Sequence, residues 1–171
     1  MRHGGVQPCT HHRCRKSAAE QVRRLQQLED PPHPGHLCRR CLVLHSASGW
    51  WKDEAEPFAA QWETLSRAAG AKKTAFLLGD FNSEADVRGE GYDLVLRSGW
   101  QDTYRLAQQR DEGYTVVQAI DGWRDAPDAA AKKRIDQIWC SQVIAVKSTR
   151  VVFNGLREPQ VSDHAGVLIE L

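Results

Sequence analysis

A chain of 171 residues has room for one domain with a buried core and is too short for two well-buried ones. Its 23 basic groups nearly balance 22 acidic ones and 41% of its residues are hydrophobic, which excludes a disordered, collagenous or strongly nucleic-acid-wrapping composition. The longest apolar runs (41–44, 75–78 and 143–146) fall far below the ~20 residues of a membrane-spanning helix. The first thirty residues also lack the apolar stretch of a secretory signal, so the expected location is cytoplasmic.

In chain order, the first 49 residues contain none of the aromatic residues, yet they hold most of the histidines and cysteines and carry an excess of Lys and Arg. Residues 17–29 are predicted to be a helix, because Ser17 and Glu20 form a capping box and Ala18, Val22, Leu25 and Leu28 share one face. Pro31 and Pro32 end it. The flanking Cys9, His11, His12 and Cys14, and the CxxC of Cys38 and Cys41, invite a zinc reading, but only the second pair has the common two-residue spacing. Zn2+ is therefore not expected here. Residues 1–48 are left as an unassigned basic His/Cys-rich head, disordered or arising from a misjoined start of the gene.

Residues 49–171 alternate helical and strand patterns, the signature of an α/β or α+β sandwich. Asp53, Glu54 and Glu56 precede Pro57, which suits a first helical turn; Phe58, Trp62, Leu65 and Ala69 then recur at helical spacing until Gly70. Strands are predicted at 74–78, 134–139, 143–153 and 165–171.

Three short segments carry possible chemistry. The strand at 74–78 runs into Gly79, Asp80, Phe81 and Asn82, so a carboxylate and an amide emerge together from a buried strand, though Gly-Asp is also ordinary turn chemistry. Arg134, Ile135 and Asp136 lie in a strand whose alternation sends Ile135 and Asp136 to opposite faces, and a charge there needs a partner. Ser162, Asp163 and His164 precede the terminal strand and include the only histidine beyond residue 45. Arg124, Lys132, Lys133 and Arg134 form a basic run, read as a solvated loop before a strand.

Together, and in this order, the three segments resemble the endonuclease/exonuclease/phosphatase family, whose motifs read GDxN, RID and SDH. GWWKDEAEPF, GYDLVLRSGWQDTY, GYTV and IDGWRD resemble its sugar-phosphate phosphatase branch, of maltose 6'-phosphate phosphatase type. The resemblance covers residues 49–171 and implies a DNase I-like α/β (α+β) sandwich, truncated to about its second half. It also implies roles. Asp80 would orient or deprotonate the attacking water, Asn82 would hold a phosphoryl oxygen, and His164, oriented by Asp136, would stabilise charge on the transferring phosphoryl group. Asp163 would bind Mg2+ or Mn2+. Trp50, Trp51 and Trp123 would offer a platform for a sugar ring, the alternative for each being a place in the core.

The resemblance also has gaps. The family's metal-binding Glu and an early Asn belong to its first half, and residues 1–48 offer only Glu20 and Glu29 and no asparagine. A family histidine expected at position 47 is replaced by Ala47, with His45 two residues away, ~7 Å along a strand. The expected function is thus a divalent-metal-dependent phosphoric-ester hydrolase acting on a phosphorylated sugar. The alternatives are a truncated, inactive remnant of that enzyme or a Mg2+-dependent endonuclease, the acidic balance beyond residue 46 speaking against nucleic acid.

Overall fold

The computed structural model describes residues 26–28, 41–47, 51–69, 74–118 and 132–171. Their elements follow in the order β1 (Gln26–Leu28), β2 (Cys41–Ala47), α1 (Trp51–Ala69), β3 (Ala75–Asp80), α2 (Gly91–Arg97), β4 (Gln101–Asp102), α3 (Thr103–Leu106), β5 (Ala107–Arg110), β6 (Asp136–Cys140), β7 (Val146–Val152) and β8 (Gly166–Glu170). Two sheets result, one of five strands ordered β1-β2-β3-β6-β4 and one of three ordered β5-β7-β8. The expected mixed α/β architecture is what the chain adopts.

β3 lies between a parallel neighbour, β2, and an antiparallel one, β6. That central place explains its sequence: Ala75, Phe76 and Leu77 are all buried, as an unbroken apolar run requires when both faces are covered. α1 covers one face with Phe58, Trp62, Leu65 and Ala69, spaced by three and four residues, and leaves the Glu63–Arg67 pair outside. Trp62 meets Trp100 edge to face at 5.5 Å and donates its indole N–H to Ser98 Oγ at 2.9 Å. Gly91 opens α2 where a Cβ would come within 2.8 Å of the Phe58 ring, so only glycine lets the two helices approach this closely.

Three expectations change. α1 begins at Trp51, and Pro57 lies inside it instead of opening it. The Trp51 ring packs edge-on against Phe58 at 5.3 Å, and that contact draws the preceding turns into the helix despite the N–H that proline lacks. Gln26–Leu28, expected to end a helix at 17–29, instead form β1 and pair antiparallel with Cys41–Val43. Backbone pairing to a sheet outweighs a short amphipathic pattern; residues 17–25 lie outside the described part. The basic run is not a solvated loop throughout. Lys133 and Arg134 are buried, because Glu84 and Asp102 face them at 2.9 and 2.8 Å, while Lys132 stays exposed beside Glu112. Arg124 lies outside the described residues, as do Cys9, His11, His12, Cys14 and Cys38 of the zinc reading.

β2 shows that the five-stranded sheet reaches back into residues 1–48, with Cys41 at its start. No helix among the described residues is long and apolar enough to cross a membrane.

Between the sheets, Thr149 of β7 lines a small cavity shared with Arg134 and Asp136, and its buried hydroxyl has no hydrogen-bond partner. A buried hydroxyl without a partner costs about 1–3 kcal/mol. Thr149→Val, which keeps the shape and removes the oxygen, should therefore raise the urea midpoint by the equivalent of ~1 kcal/mol. A lowered midpoint in urea denaturation would show that the hydroxyl is satisfied in solution.

Candidate active site

The antiparallel register of β3 and β6 sets Asp80 directly opposite Asp136. Directly paired residues project from the same face, so the sheet holds two carboxylates side by side, an arrangement that costs stability wherever it serves no purpose. His164, in the loop before β8, joins them. Its Nδ1 lies 2.8 Å from Asp136 Oδ2, and with the carboxylate accepting, Nδ1–H donates. Asp80, Asp136 and His164 each offer one ligand atom within 4.8 Å of the others. Three segments separated by up to 84 positions in the chain thus meet at one point.

Local structure fixes each side chain. Asp80 ends β3, and its Oδ1 accepts the backbone N–H of Asn82 at 2.8 Å, closing a turn around Phe81. Asn82 stands at φ 47°, a left-handed conformation that asparagine tolerates better than most residues. Its carbonyl accepts the N–H of Trp51 at 3.3 Å, which brings the first residue of α1 to the loop. The loop is tied down further by Gln137, whose Nε2 donates to Ser83 O at 2.8 Å while its Oε1 accepts the Trp139 indole N–H at 2.9 Å. Behind Asp136, Arg134 is held by Asp102 at 2.8 Å and lies over the Tyr104 ring at 4.5 Å. Tyr92 donates to the same Asp102 oxygen at 2.5 Å. Gly113, at φ +74°, runs so close to Tyr104 that a Cβ would stand 2.5 Å from the ring.

The electrostatics divide the three groups. Burial, reinforced by the neighbouring charge of Asp136, pushes Asp80 up to about 6, against the opposing pull of the Asn82 backbone N–H and of His164. Burial works against a charged imidazole at His164, but the Asp136 carboxylate, with Asp80 and Asp163 beyond it, keeps its pKa above the ordinary histidine value. The two shifts draw Asp80 toward its protonated form and His164 toward its cationic form. Asp163 is exposed and stands outside the three-residue cluster; the Ser162 hydroxyl, at 3.0 Å, holds its carboxyl below the usual range.

Of the sequence-derived site residues, the structure brings together Asp80, Asn82, Asp136 and His164. Trp51 lies half-buried at the start of α1 beside the Asn82 loop, and Trp50 and Trp123 lie outside the described residues. The β2–β3 register places Ala47 next to Asp80 and His45 next to Leu78.

Among solved structures, an endonuclease/exonuclease/phosphatase family protein from Leptotrichia buccalis matches with a TM-score of 0.65 and 29% identity over 77% of this chain. The fold is that of the endonuclease/exonuclease/phosphatase family. A mannosyl-6-phosphatase from Bacteroides thetaiotaomicron matches with a TM-score of 0.52 and 25% identity over 77% of this chain. A 3' phosphatase from Neisseria, bound to a product DNA hairpin, shares the endonuclease/exonuclease/phosphatase fold with a TM-score of 0.51 and 22% identity over 77% of this chain. The aligned region makes up 48%, 50% and 60% of these three chains, so this chain spans about half the length of its relatives. No family model and no curated protein matches the sequence.

Sequence reasoning missed the residues that support this site: Arg134, Asp102, Tyr92 and Gln137. One signal was available, because Asp102 followed by Thr103 and Tyr104 is an N-cap pattern, and its Oδ1 does accept Tyr104 N–H at 3.0 Å to start α3. The others depend on long-range packing.

Proposed function

We propose that this chain carries the hydrolytic half of a phosphoric-ester hydrolase that removes phosphate from a phosphorylated sugar, with water as nucleophile. The observation that supports it most is the convergence of Asp80, Asp136 and His164 within 4.8 Å. Asp80 takes the proton of the attacking water, and its raised pKa suits a base working near neutral pH. Asn82 donates to a phosphoryl oxygen without adding negative charge. His164, steered by the hydrogen bond from its Nδ1–H to Asp136, presents its other ring nitrogen as a charged donor to the oxygens that gain charge in the transition state.

The donor set fits a hard divalent cation such as Mg2+ or Mn2+ in part. Asp163 would hold it with its ionised carboxylate from the exposed rim, beside the acidic cluster of Asp80 and Asp136, and this one side chain supplies only some of the six oxygen positions that Mg2+ takes. Such an ion would neutralise phosphate charge. Trp51, with Trp50 and Trp123, would give an apolar surface to a sugar ring. A sugar phosphate is favoured over nucleic acid by the 25% identity to a mannosyl-6-phosphatase.

The test is phosphate release from sugar 6-phosphates, p-nitrophenyl phosphate and a 3'-phosphorylated oligonucleotide, each with Mg2+ and with EDTA. Sugar 6-phosphates should be the better substrates, EDTA should abolish turnover, and His164→Ala should lower kcat by roughly 10²–10⁴-fold. Preference for the oligonucleotide would move the assignment to a DNA 3' phosphatase, and release unaffected by EDTA and by His164→Ala would overturn it.

A further inference from the structure

Thr115 belongs to none of the three motifs, yet it bonds to the backbone on both sides of the Asp136–His164 pair. Its Oγ1 accepts the backbone N–H of Asp136 at 3.2 Å and, more weakly, that of Ile135 at 3.4 Å. Its carbonyl accepts the N–H of Ala165, the residue after His164, at 2.8 Å. Its own N–H donates to Lys133 O at 3.0 Å, completing a short bridge to the segment that enters β6. Thr115 is 1% exposed, so none of these bonds competes with bulk water.

The two groups that Thr115 connects come from places 28 residues apart, and they meet only through a 2.8 Å contact between partly buried side chains. A hydrogen bond of that length weakens within a few tenths of an ångström, so the backbones that carry its two ends must be held in fixed relation. Each end has its own support: Asp136 pairs with Asp80 across the β3–β6 ladder, Ile135 O accepts Phe81 N–H at 2.9 Å, and the His164 N–H donates to Ser162 Oγ at 3.3 Å. Thr115 ties the two supports to each other, with its side chain on the strand end and its main chain on the loop. A β-branched side chain with few χ1 options carries that tie with little slack.

We propose that Thr115 is the positioning residue of the Asp136–His164 pair. Its hydroxyl fixes the start of β6, its carbonyl fixes the loop after His164, and the imidazole orientation follows. The kinetic consequence rests on the hydrolase reading of the site; the structural one does not.

The test uses the full chain in EDTA and records the low-field proton resonance of the His164 Nδ1–H, assigned by its loss in His164→Ala. The wild-type chain should show it. Thr115→Val keeps the shape and removes the acceptor; it should make that proton exchange with water at least about tenfold faster while the amide spectrum stays dispersed, and Thr115→Ser should restore slow exchange. With a turned-over substrate, Thr115→Val should lower kcat roughly 10- to 100-fold with KM changed little, and serine should recover most of it. An unchanged resonance in Thr115→Val, its absence from the wild-type chain, or its loss in Thr115→Ser overturns the proposal. Should the valine chain not fold, the serine chain alone decides, since it keeps the hydroxyl and must keep the resonance. A wild-type chain that shows the resonance and releases no phosphate sinks the hydrolase reading and leaves the positioning role standing.

Discussion

Asp80→Asn should lower phosphomonoester turnover by roughly 10²–10⁴-fold and at the same time make the metal-free chain more stable near neutral pH. Both effects follow from the same geometry. Asp80 faces Asp136 across the β3–β6 ladder, and burial and that neighbour raise its pKa from 3.8 to about 6. In the folded chain the carboxyl therefore holds its proton more tightly than in the unfolded chain between those values. Folding stability contributed by this group is fully present below 3.8 and is lost as pH rises to about 6. The loss amounts to about 2–3 kcal/mol at neutral pH, and an asparagine, which has no charge to desolvate, removes it. Thermal melts in EDTA at pH 7.5 should show Asp80→Asn above the wild type, with the gap closing toward pH 4. Turnover in the wild type should fall as pH drops and the base is protonated. Equal melting temperatures at pH 7.5 would mean that Asp80 is not strained by its neighbour, and undiminished turnover in the variant would remove it from the role of base.

Asp102→Ala should destabilise the chain by about 3–5 kcal/mol, the range for removing one partner of a buried ion pair. Asp102 is 2% exposed, and it serves Arg134 at 2.8 Å, the Tyr92 hydroxyl at 2.5 Å and the N-terminus of α3 at once. Its loss would leave the Arg134 guanidinium buried with two aromatic rings and no counter-charge. Arg134→Met should cost less than Asp102→Ala, because it removes the charge and retains an apolar stem, and the double variant Asp102→Ala/Arg134→Met should cost less than the sum of its single changes. Urea denaturation of the four chains measures this coupling; strict additivity would show that the two charges do not interact. Against the ~5–15 kcal/mol that stabilises a whole domain, Asp102→Ala removes a large share of the margin.

Much of the site was legible because its residues lie at strand ends, where apolar runs stop and polar residues begin. Asp80 follows the buried run of β3, Asp136 opens β6, and His164 precedes β8, so the boundaries that a periodic pattern reveals also located the chemistry. The predicted strands at 74–78, 134–139, 143–153 and 165–171 overlap β3, β6, β7 and β8, with shifts of a few residues at their ends. Gln26–Leu28 were misread because three residues cannot distinguish a helical face from a strand edge, and the partner that decided between them begins at Cys41. Lys133 and Arg134 were misread because a basic run looks the same whether water or a carboxylate answers it. Glu84 and Asp102 lie 49 and 32 positions away.

The sequence by itself determined which residues carry charge, which runs are apolar, and hence where strands end and side chains with possible chemistry emerge; these are properties of neighbours along the chain. Only the tertiary structure decided that Asp80 and Asp136 stand opposite one another, that His164 bonds to the second of them, and that Thr115 ties that pair together. Register between strands and contacts across loops are set by the packing of distant segments, and no local pattern contains them.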